Sequence, residues 1–171
     1  MEIEVKLQYK NKKKLVKILQ NNGFKPTALK KIVDLYFGQG HSSMENSRKL
    51  YRLRNINDKL FELTLKDNSI NNKNILIRRE LNVPLSSIKD TQIILTSLGC
   101  RLIKKHTVHK EIWSRGKTHF EFIRVVSPLK LSYAEIEADS EKQINYWLKK
   151  LADFVRPVGE DIFAKFDKKR G

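Results

Sequence analysis

The sequence predicts an α+β protein framed by an antiparallel sheet of eight strands. Three observations lead there. Eight stretches have strand character, and four others have the apolar stripe of a helix. Most of the strands follow one another through short turns, which implies antiparallel pairing. Several strands load one face with charge rather than with serine and threonine. An open sheet can turn such a face to water. A closed barrel would put it inside, where charges must pair or meet a ligand.

The elements follow in order. Residues 1–8 open the chain as a strand, Met1-Glu2-Ile3-Glu4-Val5-Lys6 at its head. Ile3, Val5 and Leu7 share one face and Glu2, Glu4 and Lys6 the other, each about 7 Å from the next. Residues 11–22 read as a helix with Leu15, Ile18 and Leu19 on one stripe and Gly23 as its stop. Residues 29–38 are rich in β-formers, and 38–47 form a polar loop; Glu45, with Lys49 just beyond the loop, suggests a lid. Strands at 50–56 and 60–67 join through Asn55-Ile56-Asn57-Asp58, good hairpin-turn chemistry. A third strand, 74–81, puts Arg78 and Glu80 on one face. Residues 84–99 read as a helix capped by Ser86 or Ser87, with Ile88, Ile94, Leu95 and Leu98 as its stripe. Strands follow at 101–113, 117–126 and 131–138. Ser140 opens a long helix with Gln143 in the capping-box position and Ile144, Trp147, Leu148, Leu151 and Phe154 as its stripe. A short helix at 160–167, anchored by Ile162, Phe163 and Phe166, closes the chain.

The totals bound what this frame does. The 171 residues suit one domain, 1–171, large enough for a real core. No apolar run approaches the roughly 20 residues of a membrane span, and the charged first strand is not a signal peptide. A single cysteine, Cys100, excludes an internal disulfide and reads as a core residue; the expected compartment is the cytoplasm. Lys and Arg number 35 against 19 Asp and Glu, a net +16, which suggests a polyanionic partner: nucleic acid, a membrane surface or a phosphate-rich small molecule. The runs at 10–14 and 168–170 read most simply as solvated.

The same-face charges converge on one chemistry. Glu135 and Glu137 repeat the spacing of Glu2 and Glu4, and Arg52 and Arg54 form a matching basic pair. With Glu80, the carboxylates are hard oxygen donors suited to one or two Mg²⁺ or Mn²⁺. Lys6, Arg52, Arg54, Lys66, Arg78 and Lys110 can grip a chain of phosphates, the arginines through a bidentate fork. Phosphoryl chemistry needs these parts, because its catalysis is largely positioning and charge neutralisation. His41, His106, His109 and His119 have no metal-ligand spacing. Trp113, Phe120, Phe122 and Trp147 read as packing rather than base-stacking residues. The glycines at 38 and 40 lack the lysine context of a P-loop.

The chain resembles the CYTH family, the triphosphate tunnel metalloenzymes, which include class IV adenylyl cyclases and thiamine triphosphatases. The family's opening signature stands here as Glu2-Ile3-Glu4-Val5-Lys6. Later motifs stand as Asp34-Leu35-Tyr36-Phe37, Arg52-Leu53-Arg54, Leu63-Thr64-Leu65-Lys66, Arg78-Arg79-Glu80 and Tyr133-Ala134-Glu135-Ile136-Glu137. The resemblance implies an eight-stranded antiparallel β-barrel, a triphosphate tunnel with helices packed outside. It also implies metal held by Glu2, Glu4, Glu80, Glu135 and Glu137, and phosphates held by the six cations, with Lys6 and Lys110 the catalytic candidates. Two positions depart from the pattern. Of the usual Lys-x-Arg, only Lys110 fits. The usual aspartate is missing from Phe122-Ile123-Arg124-Val125-Val126, and Glu121 reads as lying on another register.

The expected function is divalent-metal-dependent hydrolysis of tripolyphosphate or of a nucleoside or thiamine triphosphate, or class IV cyclisation of ATP. The alternative is a non-catalytic or weakly active binder of polyphosphate, nucleotide or RNA 5′-triphosphate. A small-molecule triphosphate ranks first as partner, then polyphosphate, then nucleic acid, and no membrane. The protein is expected to be a monomer or a homodimer.

Overall fold

Alternation in the opening strand sets the geometry of everything after it. The computed structural model describes residues 1–39 and 50–159, apart from the side chains of Asn68, Ser69 and Asn71. Strand β1, Glu2–Tyr9, buries Val5 and Leu7 completely on its outer face. Helix α1, Lys12–Asn21, starts at Asn11, whose side chain accepts the Lys14 N–H at 3.0 Å. It ends at Gly23, whose φ of +80° suits glycine. Then come β2 (Lys25–Gln39), β3 (Leu50–Ile56), β4 (Leu60–Asn72) and β5 (Ile75–Leu85). Asn57 and Asp58 both take positive φ between β3 and β4, the turn form that matches strand twist. Helix α2 (Ile88–Ser97) is capped by Ser87. Strands β6 (Cys100–Arg115), β7 (Thr118–Ser127) and β8 (Leu131–Glu137), helix α3 (Glu141–Lys150), capped by Ser140, and strand β9 (Val155–Val158) complete the described chain.

The strands close on themselves. The antiparallel order runs β5-β4-β3-β2-β6-β7-β8-β1, and β1 returns to β5 to complete an eight-stranded barrel. One edge of β1 pairs with β8. Its other edge is divided: Glu2–Val5 pairs with β5 and Lys6–Tyr9 with β9.

The main apolar core lies outside the barrel wall. Val5, Leu7, Phe120, Phe122, Ala134 and Ile136 meet Leu15 and Leu19 of α1 and Ile144, Trp147 and Leu151 beneath α3. A second outer cluster joins Phe37, Leu53, Leu95 and Cys100 beside α2. Helices thus cover the apolar outer face of the strands and leave the alternate positions to the interior.

Several boundaries differ from the sequence reading. Pro84 belongs to β5, so α2 begins four residues later than expected. Proline tolerates a strand position whose N–H is not needed in the ladder. Helix α2 buries Leu95, but Ile94 and Leu98 are 57% and 70% exposed, because the helix rests on β3 and β6 through Leu95 and Ile88. Strand β9 had no counterpart in the periodicity, since four residues are too few to show one. The proposed lid residues Glu45 and Lys49, His41, Gly40, the terminal helix at 160–167 and the basic run at 168–170 lie outside the described residues.

Candidate functional site: a charged barrel interior

Residues directly opposite one another in a ladder share a face, so the registers define the lining. Glu2 stands opposite Arg78, Glu4 opposite Glu137, and Lys6 opposite Glu135. Glu135 is opposite Glu121, Arg52 opposite Thr64 and Tyr36, Arg54 opposite Glu62 and Asp34, and Lys66 opposite Glu80. Every site residue predicted from sequence therefore lies on the inner face with its partners. Glu4, Arg52, Lys66, Glu121 and Glu135 are buried.

Contacts among these side chains alternate in sign around the wall. Lys110 pairs with Glu121 and reaches Glu135 at 3.5 Å. Lys6 bridges Glu135 at 3.4 Å and Glu4 at 2.6 Å. Arg78 donates to Glu2 at 2.8 Å and to Glu4 at 3.2 Å, and lies 3.1 Å from Glu80. Glu80 pairs with Lys66 and lies 3.7 Å from Arg52. Arg52 Nη2 donates to Thr64 Oγ1 at 2.9 Å, and Thr64 donates in turn to Glu62 at 3.1 Å. Asp34 and Arg54 form a separate bidentate pair, both bonds 2.7 Å. Buried charges persist only when compensated in this way.

Among the described residues, Arg52 Nε is buried and has no hydrogen-bond partner. An unmet buried donor on a charged group is costly, and here it sits within a cluster of cations.

The lattice also spreads the proton affinities. Burial would raise Glu4, but Lys6 and Arg78 outweigh it and hold the carboxyl well below its usual range. Burial and the Glu4 charge push Glu2 up to about 7, and Glu2 shares a hydrogen bond with Glu80. Burial, then Arg52 and Arg78, pull Lys66 down to about 8. Burial opposes the charge on Lys6 and Lys110, yet their carboxylate neighbours hold both above the usual lysine range. Burial, then Glu121, raises Glu137.

The reading of Glu121 is corrected. Glu121 faces inward and pairs with Lys110, while Arg124 faces outward and bonds His109 at 2.9 Å. The inner set on β7 is therefore His119, Glu121, Ile123 and Val125, so an inner carboxylate is present two strand positions from where it was sought. Asp34, Tyr36 and Glu62 also belong to the lining; their own motifs and alternation carried that signal. An apolar row, Ile56–Ile32–Val108–Val125–Leu131, crosses five strands on the inner face. Tyr133 joins it, and His106 is buried near Tyr36, ring centroids 5.5 Å apart.

As metal donors, Glu2, Glu4, Glu80, Glu135 and Glu137, joined by Glu121, offer the hard oxygens that Mg²⁺ or Mn²⁺ takes. Among the described residues no three acidic, histidine or cysteine side chains converge as a ready-made metal site, since most of these carboxylates are turned to lysine or arginine. The donor chemistry fits a divalent ion once those pairs are exchanged.

A closed antiparallel barrel with helices outside and an alternating charge lattice inside defines a class of tunnel proteins. The comparisons give the family: the CYTH domain matches residues 1–164, and the chain belongs to it. Solved structures agree on the fold. The PH1012 protein of Pyrococcus horikoshii is 22% identical with a TM-score of 0.74, over 92% of this chain and 96% of its own. HpAC1 of Hippeastrum, an adenylyl cyclase candidate described as having a dominant triphosphatase activity, is 14% identical with a TM-score of 0.74, over 99% and 96%. A chain of the Schizosaccharomyces pombe Mediator head module is 10% identical with a TM-score of 0.68, over 92% and 98%. No curated protein sequence matches.

Proposed function

We propose that the protein is a divalent-metal-dependent enzyme acting on a triphosphate held in the barrel, hydrolysis of the phosphoanhydride being the first reading. The observation that carries it is the buried Arg52 Nε, a donor without an acceptor among the described residues, on the same inner face as the other five cations. A phosphate oxygen supplies that acceptor. The alternating lattice supports the same view. A metal triphosphate is itself alternating in sign, so it can take over the lysines and arginines with its oxygens while its metal takes over the carboxylates. Charge balance is then kept when the internal pairs open.

In this reading Lys6, Arg52, Arg54, Lys66, Arg78 and Lys110 bind and orient the phosphates. Glu2, Glu4, Glu80, Glu135 and Glu137 hold Mg²⁺ or Mn²⁺, with Glu121 among the candidates. The metal, when bound, neutralises charge developing on the phosphoryl oxygens. Lys6 and Lys110, held protonated by their carboxylate neighbours, supply fixed positive charge to the leaving phosphate. Hydrolysis further asks only for a positioned water. Class IV cyclisation of ATP is the second reading, favoured by the apolar row and Tyr133 beside the clamp, which suit an organic group on the phosphate chain. Membership of the CYTH family supports a triphosphate substrate, and the triphosphatase activity described for HpAC1 favours the first reading.

Purified protein assayed with Mg²⁺ or Mn²⁺ against tripolyphosphate, ATP and thiamine triphosphate decides among them, with phosphate, pyrophosphate and cyclic AMP resolved. Phosphate release is the expected result. Tight tripolyphosphate binding with no turnover of any substrate would overturn the enzyme reading.

A further inference from the structure

The interior accounts for little of the chain's net +16. Eight carboxylates (Glu2, Glu4, Asp34, Glu62, Glu80, Glu121, Glu135, Glu137) face the six cations named above. Lys30, Lys104, Lys25 and Arg101 share the inner face opposite Lys110, Tyr36, Ser114 and Gly38, so the lining is close to balanced. The excess base is carried elsewhere, and much of it forms one stripe.

On the outer face of β2, β6 and β7, Lys31, His109 and Arg124 stand in a single cross-strand row. Lys105 continues the face along β6, opposite Leu35. In the other direction the next same-face pair is Glu111 with Phe122, and α1 docks there. Lys12 reaches Glu111 at 2.6 Å and lies 4.9 Å above the Phe122 ring. Helix α1 extends the stripe with exposed Lys13, Lys14 and Lys17 and contains no acidic residue. Glu111, the carboxylate in the path, is already engaged by Lys12 and by Trp113 Nε1 at 2.8 Å. Lys31 shares only a loose exposed pair with Asp58 at 3.6 Å.

We propose that this stripe binds the sugar–phosphate backbone of a nucleic acid, independently of the barrel interior. Same-face strand positions step by about 7 Å, so solvated cations run in a line that meets a line of phosphates, each contact releasing counterions. A lipid surface fits less well, because peripheral binding draws on a broad apolar face, and the row itself is charged.

The test is fluorescence anisotropy of the full chain with a labelled single-stranded RNA carrying a 5′-hydroxyl, which offers the interior no triphosphate. Binding is expected at about 50 mM salt, with log affinity falling by about 0.7 per phosphate neutralised for each unit of log salt. Lys31→Gln with Arg124→Gln should weaken it by about tenfold and reduce the slope by about 1.4. Arg52→Ala should leave both unchanged. Absence of binding at low salt, undiminished binding by the outer-face variant, loss in Arg52→Ala instead, or capture by anionic lipid vesicles without RNA binding would each overturn the proposal.

Discussion

The two faces of the barrel wall use the same residue types for opposite ends. Inside, Lys6 and Lys110 are largely buried, paired and locked in their charged forms, and carboxylates nearly balance the cations of the lining. Outside, Lys31, Lys105 and Arg124 are exposed, and the face they share is strongly basic. One residue step separates the two environments, as Ile123 and Arg124 show. A charge is worth little on the outer side, where solvent screens it. On the inner side each charge is held by its neighbours, and removing one leaves its partner stranded.

This contrast can be broken first at the carboxylates. Glu2→Gln with Glu4→Gln should abolish metal-dependent turnover while circular dichroism reports a folded barrel; retained turnover would remove both residues from the site. Arg52→Ala should lower kcat/KM for the triphosphate substrate by about 10²–10³, the cost of a lost transition-state donor. An unchanged value would mean that its free Nε serves no ligand. Arg78→Ala leaves Glu2 without its cation beside Glu4, which keeps Lys6, and should cost about 3 kcal/mol in chemical denaturation. A loss typical of a surface arginine would show that the lattice relaxes around the gap.

A gentler probe is His106. Burial, then Lys104, lowers its pKa to about 4 from 6.5, against the pull of Asp34. A depressed histidine pKa means that the unfolded chain binds the extra proton. Its contribution to stability is therefore present above pH 6.5 and is lost as pH falls toward 4. An NMR titration of the ring should show a midpoint near 4; a midpoint near 6.5 would place the ring in water. The smallest effect belongs outside: Lys31→Gln should leave both the denaturation midpoint and turnover unchanged, and a change in either would make the outer face part of the inner machinery.

Much of this was legible in the chain, because a strand's period of two writes both faces into neighbouring letters. Glu2/Glu4/Lys6, Arg52/Arg54 and Glu135/Glu137 each announced one wall in that way. The barrel's closure was not legible from alternation, which is equally satisfied by an open sheet. It came from resemblance and is observed in the β1–β5 pairing. Glu121 was misassigned because alternation along β7 does not say which of its two faces looks inward; its pairings with Ile112 and Glu135 do. The apolar row escaped notice because its members come from five strands. Only the registers align Ile56, Ile32, Val108, Val125 and Leu131. Asp34 stood inside a recognised motif, but its role as the bidentate partner of Arg54 depends on the β2–β3 pairing.

The divided edge of β1 has a consequence in time. Of the described strands β1 is made first and fully paired last: its partners come from residues 75–78, 134–137 and 155–158. Until β5 has been made Glu2 and Glu4 lack Arg78, and until β8 has been made Lys6 lacks Glu135. Their charge then keeps a waiting strand in water, where an apolar one would seek other partners. The long separation between β1 and these pairings adds a loop-closure cost that slows the final step. The residues that open the sequence therefore report on the completion of the barrel.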